Sequence, residues 1–199
     1  MIQAIATQLE NLVLEYLVQM SNQDTHNFIE NWPTKPLQLR HNSPKELVVL
    51  HHLRDININT NSKASTLVKK LQKYAGRLYW GQTYSKQDFG AIFMNNYGWT
   101  ELIGTRGPIV SNEIACGFLL LGPNTHYPSH SHEAEELYVP LTHAQWKRGG
   151  ENWQLREPEL AIYHRPWVLH SVKTNSEPLL AIYIWRGGDL AQKSCINPP

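Results

Sequence analysis

The sequence is short of cysteine. Only Cys116 and Cys195 occur among 199 residues. They lie far apart and outside any zinc-ligand spacing, so nothing demands a disulfide, and both are read as buried or free thiols. An excess of charge of one sign is missing too: 18 Lys and Arg stand against 17 Asp and Glu, for a formal net charge of +1. Without a basic stripe, nucleic acid is not expected as a partner. No apolar run approaches the ~20 residues of a membrane span. There is no Gly-rich phosphate loop, so nucleotide chemistry has no support. The N-terminal stretch lacks a basic segment and a small-residue cleavage site, which makes a cytoplasmic protein the expectation. Internal repeats and low-complexity tracts are absent as well. What remains, 41% hydrophobic and 18% charged residues, is the composition of a globular chain. Against this background 10 His and 7 Trp stand out. They raise the expectation of metal or proton chemistry and of aromatic walls that bind cations.

The chain reads in two parts. Over residues 2–20, Ile2, Ile5, Leu9, Leu12, Val13, Tyr16, Leu17 and Met20 recur at steps of three and four, which predicts an amphipathic helix. A short helix over 24–31 ends before Pro33, and the proline-bearing stretch 32–46 reads as a connector. A third helix starts near Ser62 or Ser65, with Leu67, Leu71, Tyr74 and Leu78 inward. Ser85-Lys86-Gln87-Asp88 resembles a capping box and opens a fourth, with Phe89, Ile92 and Phe93 inward and Gly98 near its end. After residue 100 the pattern changes to short apolar or alternating runs. These predict strands at 101–104, 113–121, 136–141, 143–147, 151–155, 159–163, 168–173 and 179–186, separated by turn formers such as Gly122-Pro123-Asn124 and Gly149-Gly150. The expected fold is mainly β: a helical N-terminal region, 1–100, packed on a jelly-roll-like β-barrel, 101–199.

The stretch "YPSHSHEAEELY", Tyr127 to Tyr138, concentrates the chemistry. His130, His132, Glu136 and Tyr138 share one parity, so a single extended segment would point all four the same way. Inside a barrel, such a polar run must be satisfied by partners, water or a metal. Two imidazoles and a carboxylate suit Zn, Fe, Ni or Mn. A fourth ligand has to come from a distant strand, and His170 in "RPWVLHS" is the choice. A His-x-His on an exposed turn is commonly no more than solvated surface. Joined to a Glu four residues on and a later strand His, it reads as a site for one divalent ion. His164 is set beside these as a cavity-lining candidate. His26, His41, His51 and His52 are read as surface residues of the helical half, and His126 and His143 lack the spacing.

The arrangement resembles the cupin fold. His130-x-His132-x-x-x-Glu136 matches the ligands of its first motif, and Pro166 to His170 the second. His143 and Val168 stand near where the motifs ordinarily carry glycine. A narrower resemblance joins Tyr127-Pro128-x-His130-x-His132-x-Ala134-Glu135-Glu136-x-Tyr138, the upstream "NNYGWTELIG" and Trp146, across roughly residues 75–190. These are similar to cupin-type dimethylsulfoniopropionate (DMSP) lyases. The resemblance implies that His130, His132, Glu136 and His170 surround a divalent metal, and that Tyr127 and Tyr138 take part in proton abstraction. DMSP would be the small-molecule substrate and a homodimer a possible assembly.

Elimination from DMSP removes a proton beside a carboxylate and expels dimethyl sulfide, leaving acrylate. Of the two phenols, Tyr138 shares the ligand face and is the first choice of base, with Tyr127 second. A tyrosine that merely orients a metal ligand is the bland alternative. The sulfonium needs an aromatic wall, for which Trp146, Tyr163 and Trp185 are the leading candidates among the Trp and Tyr residues of the β half. The ligand set alone leaves two other readings open: another cupin metalloenzyme, such as an Fe(II) dioxygenase or an isomerase, and a non-catalytic small-molecule-binding cupin.

Overall fold

The computed structural model describes residues 2–20, 22–59 and 62–196. Helix α1 (Ile2–Val18) buries Ile5, Leu9, Val13, Tyr16 and Leu17, the stripe expected from the sequence. Helix α2 (Gln23–Ile29) is capped by Asn22, whose Oδ1 accepts the Thr25 backbone N–H at 3.1 Å. Helix α3 (Leu50–Asp55) is too short to show a period and was not expected. Helix α4 (Ser65–Tyr74) turns Leu67, Val68 and Leu71 inward.

Strand β1 (Trp80–Gly81) precedes α5 (Lys86–Asn95). The capping box at the start of α5 is present, with Ser85 N–H donating to Asp88 Oδ2 at 2.8 Å. Gly90 then leaves the helical region at φ 77°, a conformation that costs glycine little. The break corrects the expected face. Phe89 and Phe93 join an aromatic cluster with Tyr84 and Tyr97, whereas Ile92 is 84% exposed.

The remaining strands are β2 (Tyr97–Gly104), β3 (Ile109–Val110), β4 (Ile114–Leu121), β5 (His126–Ser131), β6 (Glu135–Pro140), β7 (Ala144–Arg148), β8 (Gln154–Arg156), β9 (Ile162–His164), β10 (His170–Lys173), β11 (Leu179–Arg186) and β12 (Cys195–Ile196). They form two sheets. One is seven-stranded in the order β1-β2-β4-β11-β6-β9, with β3 beside β2; the other is five-stranded in the order β12-β5-β10-β7-β8. The boundary expected at residue 100 falls inside β2, which also pairs with β1.

Alternation along the central strands sorts the core. Leu120 of β4, Leu137 and Val139 of β6, and Ile182 and Ile184 of β11 pack with Leu9, Val13 and Leu71 of the helices. The intervening residues Leu119, Tyr138, Ala181 and Tyr183 join Tyr127, Trp146 and Val172 in a second cluster, whose last three members come from the five-stranded sheet. Helices thus cover the outer face of the larger sheet, and its inner face looks onto the smaller one. This explains why β4 is buried along its whole length and reads as a continuous apolar run. Gly117 in that run is dictated by closeness: a Cβ there would lie 1.8 Å from the Thr100 carbonyl oxygen, beside an irregularity in the β2–β4 register. The architecture is the cupin-like barrel with an N-terminal helical region that the sequence suggests.

Candidate metal centre

The segment 130–138 is not one strand, which corrects the expectation from parity. Strand β5 ends at Ser131 and β6 begins at Glu135, and the two lie in different sheets. His132 therefore sits where the chain crosses from the smaller sheet to the larger. Pro128 and the polar residues of β5 hid this strand from the sequence reading. Glu136 and Tyr138 do share the inner face of β6. His170 heads β10 and stands opposite His130 in the antiparallel register.

Three buried donor atoms converge. The Glu136 Oε2 atom is 3.1 Å from His132 Nε2 and 3.2 Å from His170 Nε2. His132, Glu136 and His170 form the group whose ligand atoms all lie within 4.8 Å of one another. His130, expected beside these three as a ligand, stands outside that group, although its Nδ1 likewise bonds a backbone carbonyl, that of Pro128, at 2.8 Å. Its ring stacks instead on Tyr127, with centroids 4.1 Å apart and planes 13° from parallel.

The hydrogen bonds behind these imidazoles fix their protons. His132 Nδ1–H donates to the Ala134 carbonyl at 2.8 Å and His170 Nδ1–H to the Val168 carbonyl at 2.9 Å. A carbonyl only accepts, so Nδ1 carries a proton in each ring, which leaves Nε2 as the nitrogen that can offer a lone pair to a metal. His170 Nε2 accordingly has no hydrogen-bond partner among the described residues, although it lies 3.2 Å from the carboxylate. Two lone pairs and a carboxylate oxygen pressed together want a cation. Ligand atoms ~2.0–2.2 Å from a common ion, at ~90–110° to one another, stand about 3.0–3.4 Å apart, and both distances from Glu136 Oε2 fall in that range. The donor set fits a divalent transition metal.

Electrostatics points the same way. Burial alone would raise the Glu136 carboxyl, but His132, His164 and His170 together hold it well below the usual carboxylate range. Burial, reinforced by the neighbouring His170, pushes His130 well below the usual imidazole value. The other Glu136 oxygen is engaged: Trp185 Nε1–H donates to Oε1 at 2.6 Å, from the position directly opposite on β11. Only Oε2 faces the cluster.

A cavity of about 490 Å³, its open mouth included, lies over Glu136 and His130. Tyr97, Tyr127, Tyr138, Tyr183 and Trp185 line it, and Arg106 reaches its wall. The Tyr127 and Tyr84 hydroxyls are 3.2 Å apart. Burial pushes both Tyr127 and Tyr138 well above the ordinary phenol value, helped by neighbouring phenols for Tyr127 and by Glu136 for Tyr138. Of the aromatic candidates, Trp185 lines the cavity. Trp146 lies behind Tyr138 and His164, with ring centroids 4.9 and 6.5 Å away. Tyr163 has the opposite parity to His164 and faces the helices, donating to Glu135 Oε2 and packing on Phe28. Tyr84, from the helical side of the expected boundary, and Arg106, from a turn, were not anticipated and no local pattern marks them; Tyr97 lies in the "NNYGWTELIG" stretch of the resemblance but was not singled out as a site residue.

The family model for dimethylsulfoniopropionate lyase matches residues 4–181. This chain belongs to the DMSP lyase family. Two curated relatives agree. A putative DMSP lyase, DddL, from Cereibacter sphaeroides is 31% identical over 144 residues, which cover 71% of this chain and 60% of that protein. The DMSP lyase DddQ of Ruegeria pomeroyi is 31% identical over 109 residues, 54% of each. The chain thus matches little more than half the length of these curated relatives. In fold, it superimposes on the crystal structure of DddQ from Ruegeria pomeroyi with a TM-score of 0.81 over 95% of both chains at 23% identity. Against a structure described with the DMSP lyases RdDddP and RnDddQII, the TM-score is 0.89 over the full length of both at 22% identity. The whole family member, helices included, therefore has the architecture of those structures.

Proposed function

We propose that this protein is a metal-dependent DMSP lyase that converts dimethylsulfoniopropionate to acrylate and dimethyl sulfide by β-elimination. Membership of the family supports the substrate class. The single observation that carries the metal dependence is the meeting of His132 Nε2, His170 Nε2 and Glu136 Oε2, with the Nδ1 of each ring bonded to a backbone carbonyl. In this reading His132, Glu136 and His170 hold the ion, which when bound supplies a Lewis acid for the substrate carboxylate.

The chain's own residues do the rest. Tyr138, on the Glu136 face of β6, is the base we put first; Tyr127, paired with Tyr84, is second. The phenolate takes the proton from the carbon beside the carboxylate. The C–H electron pair becomes the C=C bond, and the C–S bond breaks with its pair leaving on sulfur as neutral dimethyl sulfide. No general acid is needed for that leaving group. Burial raises both phenols, and a cation held by His132, Glu136 and His170, together with the sulfonium, would lower them toward the phenolate. The sulfonium rests against the aromatic lining, each such contact contributing ~0.5–2 kcal/mol. The Arg106 guanidinium already lies 5.0 Å from the Trp99 ring centroid, which favours Tyr183 and Trp185 for that role.

Headspace measurement of dimethyl sulfide from protein of known metal content tests the reading; no sulfide from fully loaded protein sinks it. Tyr138→Phe is expected to lose at least ~100-fold in kcat with metal retained. Metal lost together with activity would make Tyr138 a ligand, and full activity would move the base to Tyr127.

A further inference from the structure

A fourth imidazole stands behind the three donor atoms. His164 is 1% exposed and lies directly opposite Glu136 in the β6–β9 register. Its ring stacks on His170, with centroids 4.1 Å apart and planes 22° from parallel. Its Nδ1 atom is 3.6 Å from Glu136 Oε2 and has no hydrogen-bond partner among the described residues. A buried polar atom without a partner needs a reason. Here it is aimed at the one carboxylate oxygen that faces the cluster, while Trp185 holds the other. His164 is nevertheless outside the group whose ligand atoms come within 4.8 Å of one another, which places it behind the three donors.

We propose that His164 is a positioning residue for Glu136: its Nδ1–H is directed at Oε2 and, with Trp185 on Oε1, orients the carboxylate so that the remaining lone pair of Oε2 is turned toward His132 and His170. The role rests on reading the cluster as a metal centre. Partners of this kind typically change metal affinity 10- to 100-fold.

The test is a titration of metal-freed protein with Co²⁺, read by visible absorption, which follows both affinity and coordination geometry. His164→Phe keeps the ring stacked on His170 and removes the nitrogen. It is expected to bind Co²⁺ at least ~10-fold more weakly and with an altered band shape. His164→Asn keeps a side-chain N–H near the Nδ1 position and is expected to return to within about threefold of wild type, with the wild-type bands. Unchanged binding and bands in His164→Phe overturn the proposal, and so does an Asn variant as weak as the Phe variant. If His164→Phe does not fold, the Asn variant decides alone: near-wild-type binding supports the role and a tenfold loss overturns it. Wild-type protein that takes up no Co²⁺ removes the metal centre itself, whereas wild-type uptake with an indifferent His164→Phe removes only the role of His164.

Discussion

Glu136 has two oxygens and two duties. Oε1 accepts from Trp185, and Oε2 faces His132 and His170. Separate substitutions divide these duties. Glu136→Gln removes the charge that offsets a cation and is expected to abolish stoichiometric metal uptake, measured by equilibrium dialysis. Trp185→Phe keeps the ring near His132, drops the N–H donor, and is expected to weaken uptake roughly tenfold. Protonation acts at the same scale. Burial and the nearby His170 press His164 down to about 4, so its ring is neutral in the fold when an unfolded His, near 6.5, already takes up a proton. The metal-free protein therefore loses stability as pH falls from about 6.5 to 4, by roughly 3 kcal/mol from this residue, and the contribution is fully present above that window. His130, lowered in the same sense by its burial and the nearby His170, adds to the loss. Urea titrations of metal-free protein at pH 7, 5.5 and 4.5 are expected to show a falling midpoint; a flat profile contradicts the burial of these rings.

At the scale of elements, the cover of the larger sheet depends on α1. Leu9 is fully buried against it, and Leu9→Ala is expected to cost ~2–5 kcal/mol, read from denaturant unfolding. That helix was plain in the sequence because its stripe repeats over 17 residues. Strands β4 and β11 were as plain, being long apolar runs bounded by turns. Strand β5 was not, since a proline and four polar residues look like a loop until β10 and β12 supply partners on either side. The inward face of α5 was misjudged because Gly90 breaks the period in a way that no spacing rule announces. At the site, His132, Glu136 and His170 were legible from spacing and resemblance. That His130 stands beside this group and not in it was not, since parity assumed one strand where the chain changes sheets. The facing position of His164 depended on a pairing between β6 and β9 that only the folded register reveals.

At the scale of the whole molecule, the donors belong to both layers. Glu136 comes from the seven-stranded sheet, His170 from the five-stranded one, and His132 from the crossing between them. Binding energy that exists only when the layers are closed adds to folding. At a hundredfold excess over Kd, a metal is expected to stabilise the native state by about 2.7 kcal/mol. For a chain of this size that raises the melting temperature by roughly 5–10 °C, measurable by calorimetry with and without chelator. The ion would then be a rivet through two plates. Damage far from the chemistry, at the seam between the plates or under their helical cover, would announce itself first as leakage of the rivet, and chelator sensitivity would gauge how firmly the barrel is shut.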